Sequence, residues 1–164
     1  MEIAFSRRRV GWARRLAPGA SEELLLAVRA QHVCRWTVPR ETYPDGRTGY
    51  LRWREDLKRM HAARTGEIMA AAGYGPPSVE KVRTILLRKN LAADPEGQTL
   101  EDAACLVFLE HELVPFAGKT EASKVVDILR KTWEKMSPSA RELAKGLAYG
   151  PRESALLAKA LGAG

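Results

Sequence analysis

Cysteine, histidine and aromatic side chains are sparse in this sequence, and acids are fewer than bases. Cys34 and Cys105 are the only cysteines, and both have apolar neighbours. That leaves no disulfide framework of the kind that holds small secreted modules together, so a reducing cytoplasm is the expected compartment. No stretch approaches the roughly 20 apolar residues of a membrane span. The Arg7-Arg8-Arg9 run has no apolar segment behind it long enough for a signal peptide, so no membrane partner is expected. Alternating runs of β-branched residues are missing, and with them the signature of strands. The four tryptophans, Trp12, Trp36, Trp53 and Trp133, read as core anchors more than as stacking platforms for bases.

What the chain does have is helical periodicity and positive charge. Its 164 residues, 45% of them hydrophobic, suffice for one domain with a substantial core. Twenty-seven basic against 20 acidic side chains leave a formal charge of +7, which points to an anionic partner such as a nucleotide, RNA or an acidic surface. Apolar residues recur at spacings of three and four almost throughout, which predicts an all-α, single-domain helical bundle over residues 1–164. The first helix is expected from about Arg7 to Leu16, with Ser6 as its cap, and the second from Ser21 to about Trp36. An ordered loop, Thr37 to Arg47, leads into a long helix from about Thr48 to Ala72, and Ser78 opens a shorter one to Lys89. Thr99 with Asp102 three residues on is a variant capping box for a helix reaching about Val114. Further helices are expected at Thr120 to Met136, after the Ser137-Pro138 pair and from Pro151.

Two of the three histidines fall where core residues belong. Leu25, Val28, His32 and Trp36 form one stripe, and Leu57, His61 and Ile68 another, beside Trp53 and Met60. Each imidazole taken alone reads as an interior group bonded to a backbone carbonyl. Two of them on different helices suggest a shared site. Glu101 and Asp102 stand at the mouth of an almost wholly apolar helix, either as caps or as metal ligands. His111 lies nine residues beyond Asp102, about half a turn away around a helix at 100° per residue, and is left outside the site. Most basic residues must form a solvated face. Arg29, Arg35 and Arg40 stand out by their nearness to His32, because guanidinium forks bind phosphate bidentately. Arg88 and Lys89 are further candidates, although the helix dipole alone favours cations where they stand.

The stretches RAQHVCRW, PRETYPDGRTGYLRWREDLKRMHA, QTLEDAACLVFLEHEL and DILRKTWEKMSPSARE resemble the domain-of-unknown-function family 4202, a family of small helical proteins. More distantly, the layout is similar to the HD superfamily of metal-dependent phosphohydrolases. AVRAQHVCRW resembles its His-Asp helix, with His32 as the histidine; HAARTGEIMAAAGY resembles a helix supplying a further histidine, here His61; TLEDAACLVFLE resembles the helix of the last aspartate, with Asp102 or Glu101 nearest to that role. The resemblance implies a divalent metal ion held by His32, His61 and Asp102, with Asp102 and Glu101 in the catalytic apparatus. The motif is degenerate. Val33 stands where an aspartate belongs, Arg7 to Arg9 replace the first-helix histidine, and the position near Arg88 is basic. Arginines there oppose metal loading.

Lys135-Met136-Ser137-Pro138-Ser139 resembles the Lys-Met-Ser-Lys-Ser loop of class I aminoacyl-tRNA synthetases. The second lysine is a proline here, and neither a His-Ile-Gly-His partner nor a Gly-rich strand-to-helix unit is present, so synthetase activity is rejected. Two functions are carried forward. One is an HD-like phosphohydrolase acting on a nucleotide or another phosphorylated small molecule. In it a divalent ion activates water while Arg29, Arg35 or Arg40, with Arg88 and Lys89, neutralises the phosphate. The other is a non-catalytic protein that binds RNA or a nucleotide.

Overall fold

Helices form here because apolar residues at helical spacing meet well-placed stop and start signals, and a computed structural model shows how they assemble. It describes residues 2–162, and among these every regular element is helical. The chain divides into two compact units, Met1–Leu100 and Glu101–Gly164.

In the first unit α1 (Glu2–Leu16) is followed by α2 (Glu22–Ala30), two single 3-10 turns, the long α3 (Gly46–Ala71) and α4 (Pro76–Leu87). α2 packs on α1 and α4, and α3 on α4. Ser21 caps α2, accepting the Leu24 N–H at 3.1 Å, as its sequence position predicts. α1 starts earlier than expected: Ser6 does not cap it but lies within it and donates to the Arg29 carbonyl. α4 also starts earlier, because Pro76 occupies its first turn, and Ser78 instead donates to Glu23 at 2.8 Å.

The largest departure lies after α2, which stops at Ala30 instead of running on to Trp36. Cys34 adopts the left-handed conformation, with φ of 52°, and the Thr37 hydroxyl bonds back to the Cys34 carbonyl at 2.8 Å. His32 therefore sits on a turn and not on a helix face, and Trp36, expected as a core anchor, is 68% exposed. Trp12 and Trp53 are buried as expected, whereas Trp133 is half-buried. Trp53 Nε1 donates to the Val38 carbonyl at 3.0 Å and so ties the connecting loop to α3. Gly49 lets that loop come close: a Cβ there would collide with the carbonyl oxygen of Pro44.

The helix expected from Thr99 begins at Pro95 as α5 (Pro95–Val107), and the boundary between the two units falls within it. Asp94 is its cap, accepting the Gly97 N–H at 2.9 Å, with Pro95 in the first helical position. Thr99 merely bonds back to the Pro95 carbonyl. The chain then widens into a π segment, Phe108–Glu112, before α6 (Leu113–Lys119). Pro115, inside α6, has no N–H to donate, and in a regular helix its ring would clash with the carbonyl four residues back, which here lies in the widened segment. α7 (Ala122–Lys135), α8 (Pro138–Lys145) and α9 (Pro151–Ala160) complete the second unit, with α7 packed on α9. Its buried apolar groups include Leu106, Leu113, Val125, Leu129 and Ala144. The Ser137 hydroxyl accepts the Ala140 N–H at 3.2 Å and Pro138 opens α8, as the sequence predicts.

Candidate functional site

Every fourth residue of α3 from Trp53 onward, namely Leu57, His61, Thr65 and Met69, is buried. This single stripe, advancing one turn per step, carries two polar side chains into the first unit. His61 meets His32 from the turn after α2, with ring centroids 6.4 Å apart and planes tilted by 39°. The pairing expected of these two histidines is thus present in the fold.

Guanidinium groups surround the pair. Arg9, buried in α1, brings Nη2 to 3.2 Å from His32 Nε2, and Arg35 Nη1 approaches the same nitrogen at 3.4 Å. A guanidinium can only donate, so Nε2 must be the acceptor and the ring proton, in the neutral imidazole, sits on Nδ1. Arg35 also lies over the Trp53 ring, 5.0 Å from its centroid. Burial, followed by the charges of Arg9 and Arg35, pushes the His32 pKa down to about 3. Burial, then Arg35 and Arg88, takes His61 down to about 4. Both rings are neutral at pH 7, and Arg9, Arg35 and Arg54 act to lower both, with Arg88 acting on His61.

Two buried polar atoms on the α3 stripe, His61 Nε2 and Thr65 Oγ1, have no hydrogen-bond partner among the described residues, and neither has Oε1 of Gln31, the chain neighbour of His32. An unsatisfied buried group costs on the order of 1–3 kcal/mol. Such atoms are tolerated where a ligand or solvent molecule completes them. A cavity of about 510 Å³ adjoins the cluster, with Arg9, His32 and Thr65 in its walls.

The other predicted residues have varied positions. Arg29 lines the cavity. Arg40 does not, and spends its guanidinium on its own loop, donating to the carbonyls of Tyr43 at 3.0 Å and Pro44 at 3.1 Å. Arg88 acts on His61 from the end of α4, where its backbone is left-handed with φ of 48°. Lys89 beside it is exposed. Asp102, expected to cap its own helix or hold a metal, lies in mid-helix in the second unit, and its Oδ1 accepts the Ser137 N–H at 2.9 Å. Glu101 is 3.9 Å from Lys135. His111 is exposed on the π segment of the second unit, 3.1 Å from Glu110.

The donor set does not suit a divalent cation. Two imidazoles under several guanidinium charges repel one, and no group of three or more His, Cys, Asp or Glu converges anywhere among the described residues. The same set suits an anion. Two of its members were missed in the sequence. Arg9 was hidden inside an arginine run, though it shares the buried face of α1 with Trp12 and Ala13. Thr65 is one turn beyond His61, and only the full stripe reveals it.

No curated protein and no solved structure matches the chain. The description that does match, "Domain of unknown function (DUF4202)", covers residues 1–157, nearly the whole length; the chain belongs to that family.

Proposed function

We propose that this protein is a non-catalytic receptor for a phosphate-bearing small molecule, held at Arg9 and His32 in the cavity wall, with Arg35 and His61 packed against His32 and shaping its charge. The observation that carries the reading is the pair of guanidiniums, at 3.2 and 3.4 Å, that share one imidazole nitrogen. His32 acts as an internal acceptor that holds two guanidinium forks in place, so their positive charge is positioned before a ligand arrives. Thr65 and His61 supply neutral polar atoms alongside. A cavity of this kind favours a small phosphorylated molecule over RNA, whose strand requires a groove that follows successive phosphates. Free thiols at Cys34 and Cys105 support a reducing, cytoplasmic setting. Among the described residues no helix is long and apolar enough to cross a membrane.

The HD-like hydrolase reading competes with this one through His61, whose neutral imidazole keeps a lone pair that a metal would use, whereas that of His32 is taken by Arg9 and Arg35. Elemental analysis of untagged protein, together with calorimetric titration with inorganic phosphate and a nucleoside monophosphate at low salt, separates the two. The receptor reading expects metal-free protein that binds phosphate. Affinity should fall by about tenfold or more when Arg9→Met or Arg35→Met removes a charge-assisted contact. Stoichiometric metal with chelator-sensitive phosphate release would establish the hydrolase, and failure of both anions to bind would sink the receptor.

A further inference from the structure

The cavity beside the histidine pair has two kinds of wall. Arg7, Arg9 and Arg29 line it, and so do Leu26, Val33 and Ile68. Its volume of about 510 Å³ lies in the range of roughly 300–1,000 Å³ that encloses an organic ligand, far more than a lone tetrahedral anion fills. The apolar wall is incompletely covered, because Ile3 is 71% and Ile68 is 46% exposed while both face the cavity. Water therefore contacts aliphatic surface directly beside a concentration of positive charge.

That combination selects among phosphates. A nucleobase is held by aromatic stacking and by amide or carboxylate groups reading its edge. The described lining residues include no Phe, Tyr, Trp, Asn, Gln, Asp or Glu, and their one aromatic ring, the His32 imidazole, already accepts from Arg9 and Arg35 through Nε2. What they offer instead is branched and thioether side chains, from Leu26, Val33, Ile68 and Met69, that pack against a flexible hydrocarbon without demanding a fixed shape. The hydroxyls of Ser6 and Thr65 lie in the same wall. The Ser6 hydroxyl is already donated to the Arg29 carbonyl at 3.4 Å, whereas Thr65 Oγ1 has no partner among the described residues. From the pairing of an aliphatic wall with an arginine wall we infer that the ligand is an amphiphile, an aliphatic chain ending in a phosphate monoester. This rests on the phosphate-receptor reading above. The chain covers Leu26, Val33 and Ile68, and the phosphate meets Arg9 and its neighbours.

Titration calorimetry below the micelle limit tests this with five probes: inorganic phosphate, butyl phosphate, octyl phosphate, adenosine monophosphate and 1-octanol. Octyl phosphate is expected to bind at least about 100-fold more tightly than inorganic phosphate, with affinity rising roughly three- to fourfold for each buried methylene from butyl to octyl. Ile68→Gln, at an exposed position that folding tolerates, should flatten that rise. Octyl phosphate no tighter than inorganic phosphate, or weaker than adenosine monophosphate, would overturn the aliphatic inference and leave the receptor standing. Octanol as tight as octyl phosphate would overturn the two-walled reading, since the charge would then contribute nothing. If no phosphate binds at all, it is the receptor reading that falls.

Discussion

His32 contributes by what it holds in place. A neutral imidazole nitrogen accepting from two guanidiniums offsets part of the cost of placing like charges together, and it does so only while it stays unprotonated. Arg88 acts on His61 through its charge and has a left-handed backbone, a conformation that glycine adopts freely and that costs other residues on the order of 1 kcal/mol. Glycine is the usual choice at this place past a helix end, so an arginine there implies that its charge matters. Two substitutions separate backbone from charge. Arg88→Gly should be about 1 kcal/mol more stable than Arg88→Ala in denaturant unfolding, while both weaken phosphate binding by about tenfold. Equal stability of the two variants would refute the strain argument, and undiminished binding would remove Arg88 from the site. At this scale the sequence was readable only where a residue type was rare. Two histidines on apolar spacings were visible, whereas Arg9, one of 27 basic residues, had nothing but its register to mark it.

The start and stop signals of the helices were read well where a cap stood alone and poorly where two stood close together. Ser21 and Ser137-Pro138 behave as predicted. Thr99 stands nearer the apolar run than Asp94-Pro95 does, and reading it as the cap places Asp102 in a first turn from which it is in fact two turns removed. Its work is done elsewhere, at the α7–α8 corner, through the Ser137 N–H at 2.9 Å. Asp102→Ala should therefore cost about 1–2 kcal/mol in stability, as the loss of a cap does, and leave phosphate affinity within about twofold of the parent. A thermal unfolding curve and the phosphate titration check both halves. Loss of binding in a variant that remains folded would restore Asp102 to the site. The π segment before Pro115 was legible in principle, since a proline inside an apolar helical run demands some local relief. Which relief the chain adopts depends on the packing around it.

For the molecule as a whole, the depressed histidines make stability depend on pH with a definite sign. Unfolded histidine titrates near 6.5, but folded His32 stays neutral down to about 3 and His61 down to about 4. Below pH 6.5 the unfolded chain takes up protons that the folded chain refuses, so the stability fully present above that pH is lost progressively as pH falls toward 4 and below. The melting temperature should fall by several degrees between pH 7 and pH 4.5. A His32→Gln, His61→Gln double variant should lose measurably less over the same interval. Equal slopes would mean that the rings are not held neutral by the fold. Raising the phosphate concentration should oppose the decline, because a bound phosphate anion offsets the positive charge of protonated rings.

Taken by itself, the sequence determined the helical class, the absence of strands among the described residues, the family and the positive charge, because periodicity, punctuation and composition are local properties that survive any arrangement of the elements. It also marked His32 and His61, since a polar residue in an apolar register is conspicuous before anything is folded. Tertiary structure alone decided what surrounds them. Ending α2 at Ala30 and turning the backbone at Cys34 aim His32 at Arg9 and Arg35, and the same turn exposes Trp36. Whether two imidazoles meet carboxylates or guanidiniums depends on which helix faces oppose one another in space. Residues 23 positions apart in the chain, such as Arg9 and His32, leave no trace of that encounter in any local pattern.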